Sequence, residues 1–255
     1  MSENPLQNDQ NDPKGSTSAL AEYPPIILFL PGLGADHRLF DAQSAQFATS
    51  IALDWLDIRK NETMDEYARR LVDSLPKGQH SYIICGDSLG GMIAPRVAQF
   101  LDTRYCVLIS SIDNPSRLPL LARVLCALAI KSRVLFYVMA GSLKLLGKLL
   151  QPVFSLFLPW YDKAAVDQFL DMPVARFYGM LKLLYGAIKE RTSAEQYVSC
   201  PIISIHGNRD RVIPIRYTQP DYILDGGHLI IMPRADEINE IIAQLAEKSI
   251  TEPFE

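Results

Sequence analysis

Cysteine is scarce and scattered in this chain. Four occur, at positions 85, 106, 126 and 200, and no pair has the spacing of a metal site. Three sit in or beside runs of strand type, which predicts reduced core cysteines in a cytosolic protein rather than a disulfide framework. Positive charge is also short. Lys and Arg number 25 against 29 Asp and Glu, for a net charge of −4 and a pI near 5.6. That balance argues against a nucleic-acid partner, and no basic-plus-aromatic RNA motif is present. No uncharged apolar run reaches the length of about 18 residues that a membrane span needs. The most apolar region, 118–160, is interrupted by Arg123, Lys131, Arg133, Lys144 and Lys148, so no transmembrane helix is expected. The stretch from Met1 to about Leu20 is rich in Asn, Asp, Gln, Ser and Pro and has no apolar run. It does not read as a secretory signal, and a disordered tail is expected over 1–23. A Gly-Lys-Ser/Thr phosphate loop is absent as well.

What is present is enough apolar material for a large core, with 48% hydrophobic and 21% charged residues. The length fits one domain, or one domain with an insertion. Strand and helix patterns alternate. Ile26 to Leu30 is a continuous apolar strand, 39–48 a short helix and 51–58 a second strand. Thr63-Met64-Asp65-Glu66 predicts a capping box opening a helix to about Leu75. Strand 82–85, helix 89–101 and strand 105–110 follow. From about Asn114 to Val198 the strand signal disappears, and helical apolar stretches are punctuated by Pro119, Pro152, Pro159 and Pro173. Alternation resumes with a strand at 201–205, a weak strand at 222–225 and an amphipathic helix at 235–248. The expectation is an α/β fold. A mostly parallel sheet of about six strands forms a core over 24–113 and 199–250, with a helical cap inserted at 114–198.

The chemistry begins at Gly86-Asp87-Ser88-Leu89-Gly90. Strand before and helix after is the context in which Gly-x-Ser-x-Gly becomes a nucleophile elbow, a turn too tight for Cβ atoms at its ends. Ser88 would stand over a helix N-terminus, whose dipole favours negative charge. Attack on a carbonyl also needs a base, a group orienting the base and donors for the oxyanion. His228, in Asp225-Gly226-Gly227-His228 after the last strand, is the candidate base. His206 ends a strand and is expected to pack or bond locally. His80 is expected at the surface, and His37 could line a pocket. Asp210, in the loop after the penultimate strand, is the candidate acid, with Asp113 after strand 105–110 as its competitor. The turn Pro31-Gly32-Leu33-Gly34 and the residue after the nucleophile offer the N–H groups of Leu33 and Leu89 as an oxyanion hole.

These motifs together resemble the α/β-hydrolase superfamily over about residues 24–250. The resemblance rests on Pro31-Gly32, Gly86-Asp87-Ser88-Leu89-Gly90-Gly91, His206-Gly207-Asn208-Arg209-Asp210 and Gly227-His228. It implies a triad of Ser88, Asp210 and His228, a helical cap, and no metal or organic cofactor. The chain departs from the usual pattern in three places. No strand hairpin precedes residue 25, the loop after the second strand lacks Pro-Gly-x-Gly-x-Ser, and Pro31 stands where His is frequent. A serine nucleophile argues against dehalogenases and epoxide hydrolases, which use Asp in this scheme. A cytoplasmic carboxylester or thioester hydrolase is the expectation. Carbon–carbon cleavage on the same triad, or a non-catalytic small-ligand binding protein, are the alternatives.

The insertion is basic inside an acidic chain. Between Ser111 and Lys163 lie seven basic residues and only two acidic ones, Asp113 and Asp162. Solvated lysines on ordinary amphipathic helices would explain this. So would docking of an acidic carrier protein, as in the esterase cleaving pimeloyl-carrier methyl ester, or of an anionic lipid surface. The content of Leu, Val, Phe and Met exceeds what one helix stripe needs, so some apolar surface is expected to face inward and hold an acyl chain or other apolar group. The positive charge is expected to face outward.

Overall fold

A computed structural model describes residues 24–251, apart from 79, 158–162 and 192 and the side chains of 152–157. The tail expected over 1–23 lies outside the described residues. Six strands form one sheet: β1 (Ile26–Leu30), β2 (Ser50–Ala52), β3 (Ser81–Asp87), β4 (Asp102–Ile109), β5 (Ile202–Gly207) and β6 (Tyr222–Leu224). Their order is β2-β1-β3-β4-β5-β6, and every neighbouring pair is parallel. Parallel order requires crossovers, and the helices supply them: α1 (Asp41–Gln46), α2 (Met64–Asp73), α3 (Leu89–Ala98), α4 (Leu120–Lys131), α5 (Arg133–Phe157), α6 (Lys163–Asp171), α7 (Val174–Glu190) and α8 (Ala235–Thr251).

The period of two along each strand divides the core into two layers. Leu28, Leu30, Tyr82, Ile84, Cys106 and Leu108 face α2, α3 and α7. Ile27, Phe29, Ile83, Cys85, Val107 and Ile109 face the other way, toward Phe40 and the isoleucines of α8. Burial on both faces is why the inner strands read as unbroken apolar runs. All four cysteines are unbridged and buried, and burial pushes the Cys85 and Cys106 thiols up.

Local signals hold where the chain carries its own caps. Thr63 and Glu66 form the capping box at the start of α2. The short helix expected at 39–48 begins earlier, as a 3₁₀ turn over His37–Phe40 capped by Asp36, and continues as α1. The strand expected over 51–58 stops at Ala52. Its one neighbour is β1, which ends at Leu30, just before Pro31, a residue with no N–H to donate.

Between β4 and β5 the chain is helical, from α4 to α7. The apolar surplus of this region faces solvent: Leu120, Leu121, Leu125, Leu128, Val134 and Met139 are among its exposed side chains. Inward contact is made mainly by α6, α7 and the turn between them, through Leu170, Met172, Met180 and Leu183. Over Arg133–Gln151, α5 is long and apolar enough to cross a membrane, although it carries Lys144 and Lys148.

Candidate active site

The tight turn between β3 and α3 sets the geometry. Ser88 lies at φ 49° and ψ −113°, a backbone conformation that costs an L-residue strain. A Cβ on Gly86 would strike the backbone of Gly90 and Gly91, and one on Gly90 would strike the Leu30 and Pro31 backbone. The first glycine thus serves the turn, and the second lets the turn approach β1. Two hydrogen bonds fix Ser88 from beneath. Its N–H donates to the Ile109 carbonyl at 2.9 Å, and the Ser111 hydroxyl donates to its carbonyl at 2.6 Å. The side chain makes no capping bond to α3, which leaves Oγ free.

The three residues expected to act together are brought together. His228 Nε2 lies 2.9 Å from Ser88 Oγ, and His228 Nδ1 lies 2.8 Å from Asp210 Oδ2. Asp210 is an acceptor only when ionised, so Nδ1 carries the proton and Nε2 offers its lone pair to the serine hydroxyl. The other oxygen, Oδ1, accepts from the N–H groups of Val212 and Ile213 at 2.7 and 2.9 Å. Burial alone would raise the Asp210 carboxyl. The hydrogen bonds from His206 and His228 and the charge of His228 outweigh it and hold the carboxyl well below the usual carboxylate range.

The competitor, Asp113, is not part of this chain of contacts. Its carboxylate lies 4.0 Å from Arg117, and its carbonyl accepts from the Ala194 N–H. His206 bonds locally, as expected, but its partners matter. Nε2 sits 2.7 Å from the Ile213 carbonyl and 3.2 Å from Asp210 Oδ2. Facing two acceptors, Nε2 must carry the proton. His37 pairs with Asp54 at the surface, and His80 packs edge-on against Tyr82.

Leu89 follows the serine directly, Gly32 of the first turn lies so close that a Cβ on it would come within 3.2 Å of the Ser88 Cβ, and no backbone hydrogen bond occupies the N–H of Leu33 or Leu89 among the described residues. The Leu33 turn is braced from two sides that the motifs did not reveal. The indole of Trp55 donates to the Gly32 carbonyl at 3.2 Å, and Gln168 of α6 accepts from the Asp36 N–H at 3.1 Å. Gly32 itself must be small, since a Cβ there would lie 2.7 Å from Asp87 Oδ2.

Asp87 is the other residue that pattern reading passed over. Its side chain is buried beside the elbow, and Oδ1 has no hydrogen-bond partner among the described residues. Burial pushes its carboxyl up to about 7, with His228 pulling down and Asp210 pushing up. His228 in turn is raised above the ordinary imidazole value. Burial acts to lower it, and the Asp210 hydrogen bond with the charges of Asp87 and Asp210 outweighs burial.

One cavity, of about 620 Å³, does not include Ser88, Asp210 or His228. Its lining is mixed, with Asp113, Arg117 and Arg216 beside Leu108, Ile112 and Tyr217, and it includes Ser111, whose hydroxyl bonds the Ser88 carbonyl. One cluster, Asp36, His37 and Asp54, gathers potential metal-ligand atoms. Both Asp36 oxygens are already taken by Arg38, at 2.9 and 2.7 Å, and that cation makes the cluster a poor fit for a metal ion.

No family profile matches the sequence, and no curated protein matches it significantly. Solved structures do. An esterase from Thermogutta terrifontis is 16% identical, with 88% of this chain and 90% of that chain covered at a TM-score of 0.60. The enol-lactonase from Burkholderia xenovorans LB400 is 14% identical, covering 88% and 91% at 0.60. MenH from S. aureus is 18% identical, covering 88% and 94% at 0.62. Likeness at this identity speaks for architecture, and the sheet order, the strained serine and the helical insertion agree with it: the chain has the α/β-hydrolase fold.

Proposed function

We propose that this protein is a serine hydrolase that cleaves a carboxylic ester or thioester through an acyl-enzyme. The observation that carries the reading is the unbroken contact chain from Ser88 Oγ through both nitrogens of His228 to Asp210. Ser88 Oγ attacks the carbonyl carbon while His228 Nε2 takes its proton. The carbonyl oxygen becomes an oxyanion, held by the N–H groups of Leu33 and Leu89. Asp210 stabilises the imidazolium. The tetrahedral adduct collapses, the carbon–oxygen or carbon–sulfur bond breaks, and the leaving group departs with the proton from Nε2. Water, deprotonated by the same nitrogen, then releases the acid and restores Ser88. Each oxyanion donor is worth about 3 kcal/mol in a transition state of this type. None of these steps calls for a metal or an organic cofactor.

Two of the structural neighbours are an esterase and an enol-lactonase, and a lactone is an internal ester. This supports ester chemistry. The helical insertion is read as a cap. Its α6–α7 portion reaches the oxyanion turn, since a Cβ on Gly34 would meet Phe169 at 3.0 Å and Phe177 at 3.5 Å. These rings suit an apolar acyl group better than a charged one. The test is a turnover screen of the pure protein on p-nitrophenyl esters from acetate to palmitate, with methyl-ester and thioester controls. Turnover with an initial burst supports the reading. Binding without turnover on every ester would replace it with a ligand-binding role.

A further inference from the structure

Helix α5 is built inside out. Its inward stripe is Phe136, Ala140, Lys144, Gly147 and Gln151, all buried or half-buried. Lys144 donates to the carbonyls of Phe169 and Met172 and lies over the Phe169 ring. Gly147 gives Leu170 room, and Phe136 stacks on Phe177 at 6.0 Å. The opposite face carries Val134, Val138, Met139, Leu145, Leu146 and Leu149, each 52–75% exposed. Leu120, Leu121, Leu125 and Leu128 continue this surface along α4. An ordinary surface helix does the reverse, burying its leucines and exposing its lysines. An apolar patch of this extent in water calls for an apolar partner.

The charges choose the partner. From residue 114 to 161 there is no Asp or Glu. Lys131 and Arg133, at the junction of α4 and α5, are exposed, whereas Lys148 lies 3.6 Å from Asp171 and does not count with them. A second copy pairing through this face would set these cations against their own kind with no carboxylate from the same segment to neutralise them. A lipid headgroup layer offers both an apolar interior and anionic phosphates.

We propose that the outer face of α4 and α5 docks on an anionic lipid surface, with the helices in the interfacial plane. Crossing the bilayer would require tearing α5 from its inward contacts. Lying in the plane keeps Lys144 on its carbonyls and puts the exposed leucines among acyl chains, with Lys131 and Arg133 at phosphate level. The inference goes beyond the hydrolase reading and does not depend on it.

Flotation of the full chain with vesicles of equal parts phosphatidylcholine and phosphatidylglycerol tests it, against pure phosphatidylcholine vesicles. The protein should float with the anionic vesicles, far less with the neutral ones, and less as salt rises. Each basic residue near an anionic surface is worth about fivefold in binding. Lys131→Glu with Arg133→Glu should therefore weaken partitioning by at least about 25-fold. Val138→Glu with Met139→Glu should abolish it even at low salt. Both pairs lie on the surface, and circular dichroism should match the parent. Three results overturn the proposal: no flotation of the parent protein with anionic vesicles, a discrete dimer in light scattering that Val138→Glu with Met139→Glu dissociates, or salt-sensitive capture of an acidic carrier protein without vesicle binding.

Discussion

His206 and Asp210 share a contact that the catalytic reading does not require: Nε2 of the buried histidine lies 3.2 Å from Oδ2 of the carboxylate. That oxygen is the one His228 uses, so two imidazoles hold one acceptor. The arrangement orients Asp210 and keeps it ionised.

His206→Phe should therefore lower kcat about 10- to 100-fold with little change in KM, the range expected for losing a hydrogen bond to a charged group. His206 touches no substrate in this account, so it acts as a positioning residue. Steady-state kinetics with a soluble ester separate the two constants. An unchanged kcat, or a loss confined to KM, would remove His206 from the site's support.

The pH profile depends on Asp87 as well as on His228. A base must be neutral, so kcat/KM should fall as pH drops through the His228 pKa. That pKa is raised, which places the acid limb above 6.5 rather than at it. Asp87, when ionised, favours the imidazolium. Asp87→Asn removes that charge, so the limb should move to lower pH. A pH series of kcat/KM for parent and variant measures the displacement, and a limb that stays in place contradicts the coupling.

Arg96 ties the back of the elbow helix to its neighbours. Its buried guanidinium pairs with Asp65 of α2 and Glu190 of α7 and lies 4.4 Å from the Tyr197 ring centre. Arg96→Ala should cost about 1–3 kcal/mol, because both carboxylates are partly exposed and recover water when the cation is lost. Urea unfolding reads this directly. A loss below a few tenths of a kcal/mol would show that the network contributes nothing net.

Gly90→Ala should be more damaging than its one methyl group suggests, because the Cβ would run into the carbonyls of Leu30 and Pro31. Neither backbone can yield without moving β1 or the oxyanion turn. A loss of about 2–3 kcal/mol, with activity falling further than stability, is expected. Parent-like stability and turnover in this variant would mean that the two segments are looser than described.

Much of this was legible in the residues. Buried parallel strands announce themselves as apolar runs, so β1, β3, β4 and β5 were placed to within a few residues. Ser88, Asp210 and His228 fall where the chain leaves β3, β5 and β6, a placement that loop position alone predicts. The length of β2 was not legible, because it depends on where its neighbour stops. Trp55 and Gln168 were missed because each acts on a backbone group distant in sequence, and no local pattern marks such a bond. Asp87 occupies a variable position of the motif, where only burial gives it a role. Periodicity separates the faces of a helix but does not say which face packs, so the exposure of the α5 leucines is not legible in it.

The central claim is that Ser88 is the nucleophile, and covalent labelling tests it most directly. A fluorophosphonate should add one equivalent to the folded protein, and peptide mass mapping should place it on Ser88. Ser88→Ala should take up none and should lose about four to six orders of magnitude in turnover while unfolding at the same urea concentration as the parent. Label on any other residue, or an active Ser88→Ala protein, would contradict the account.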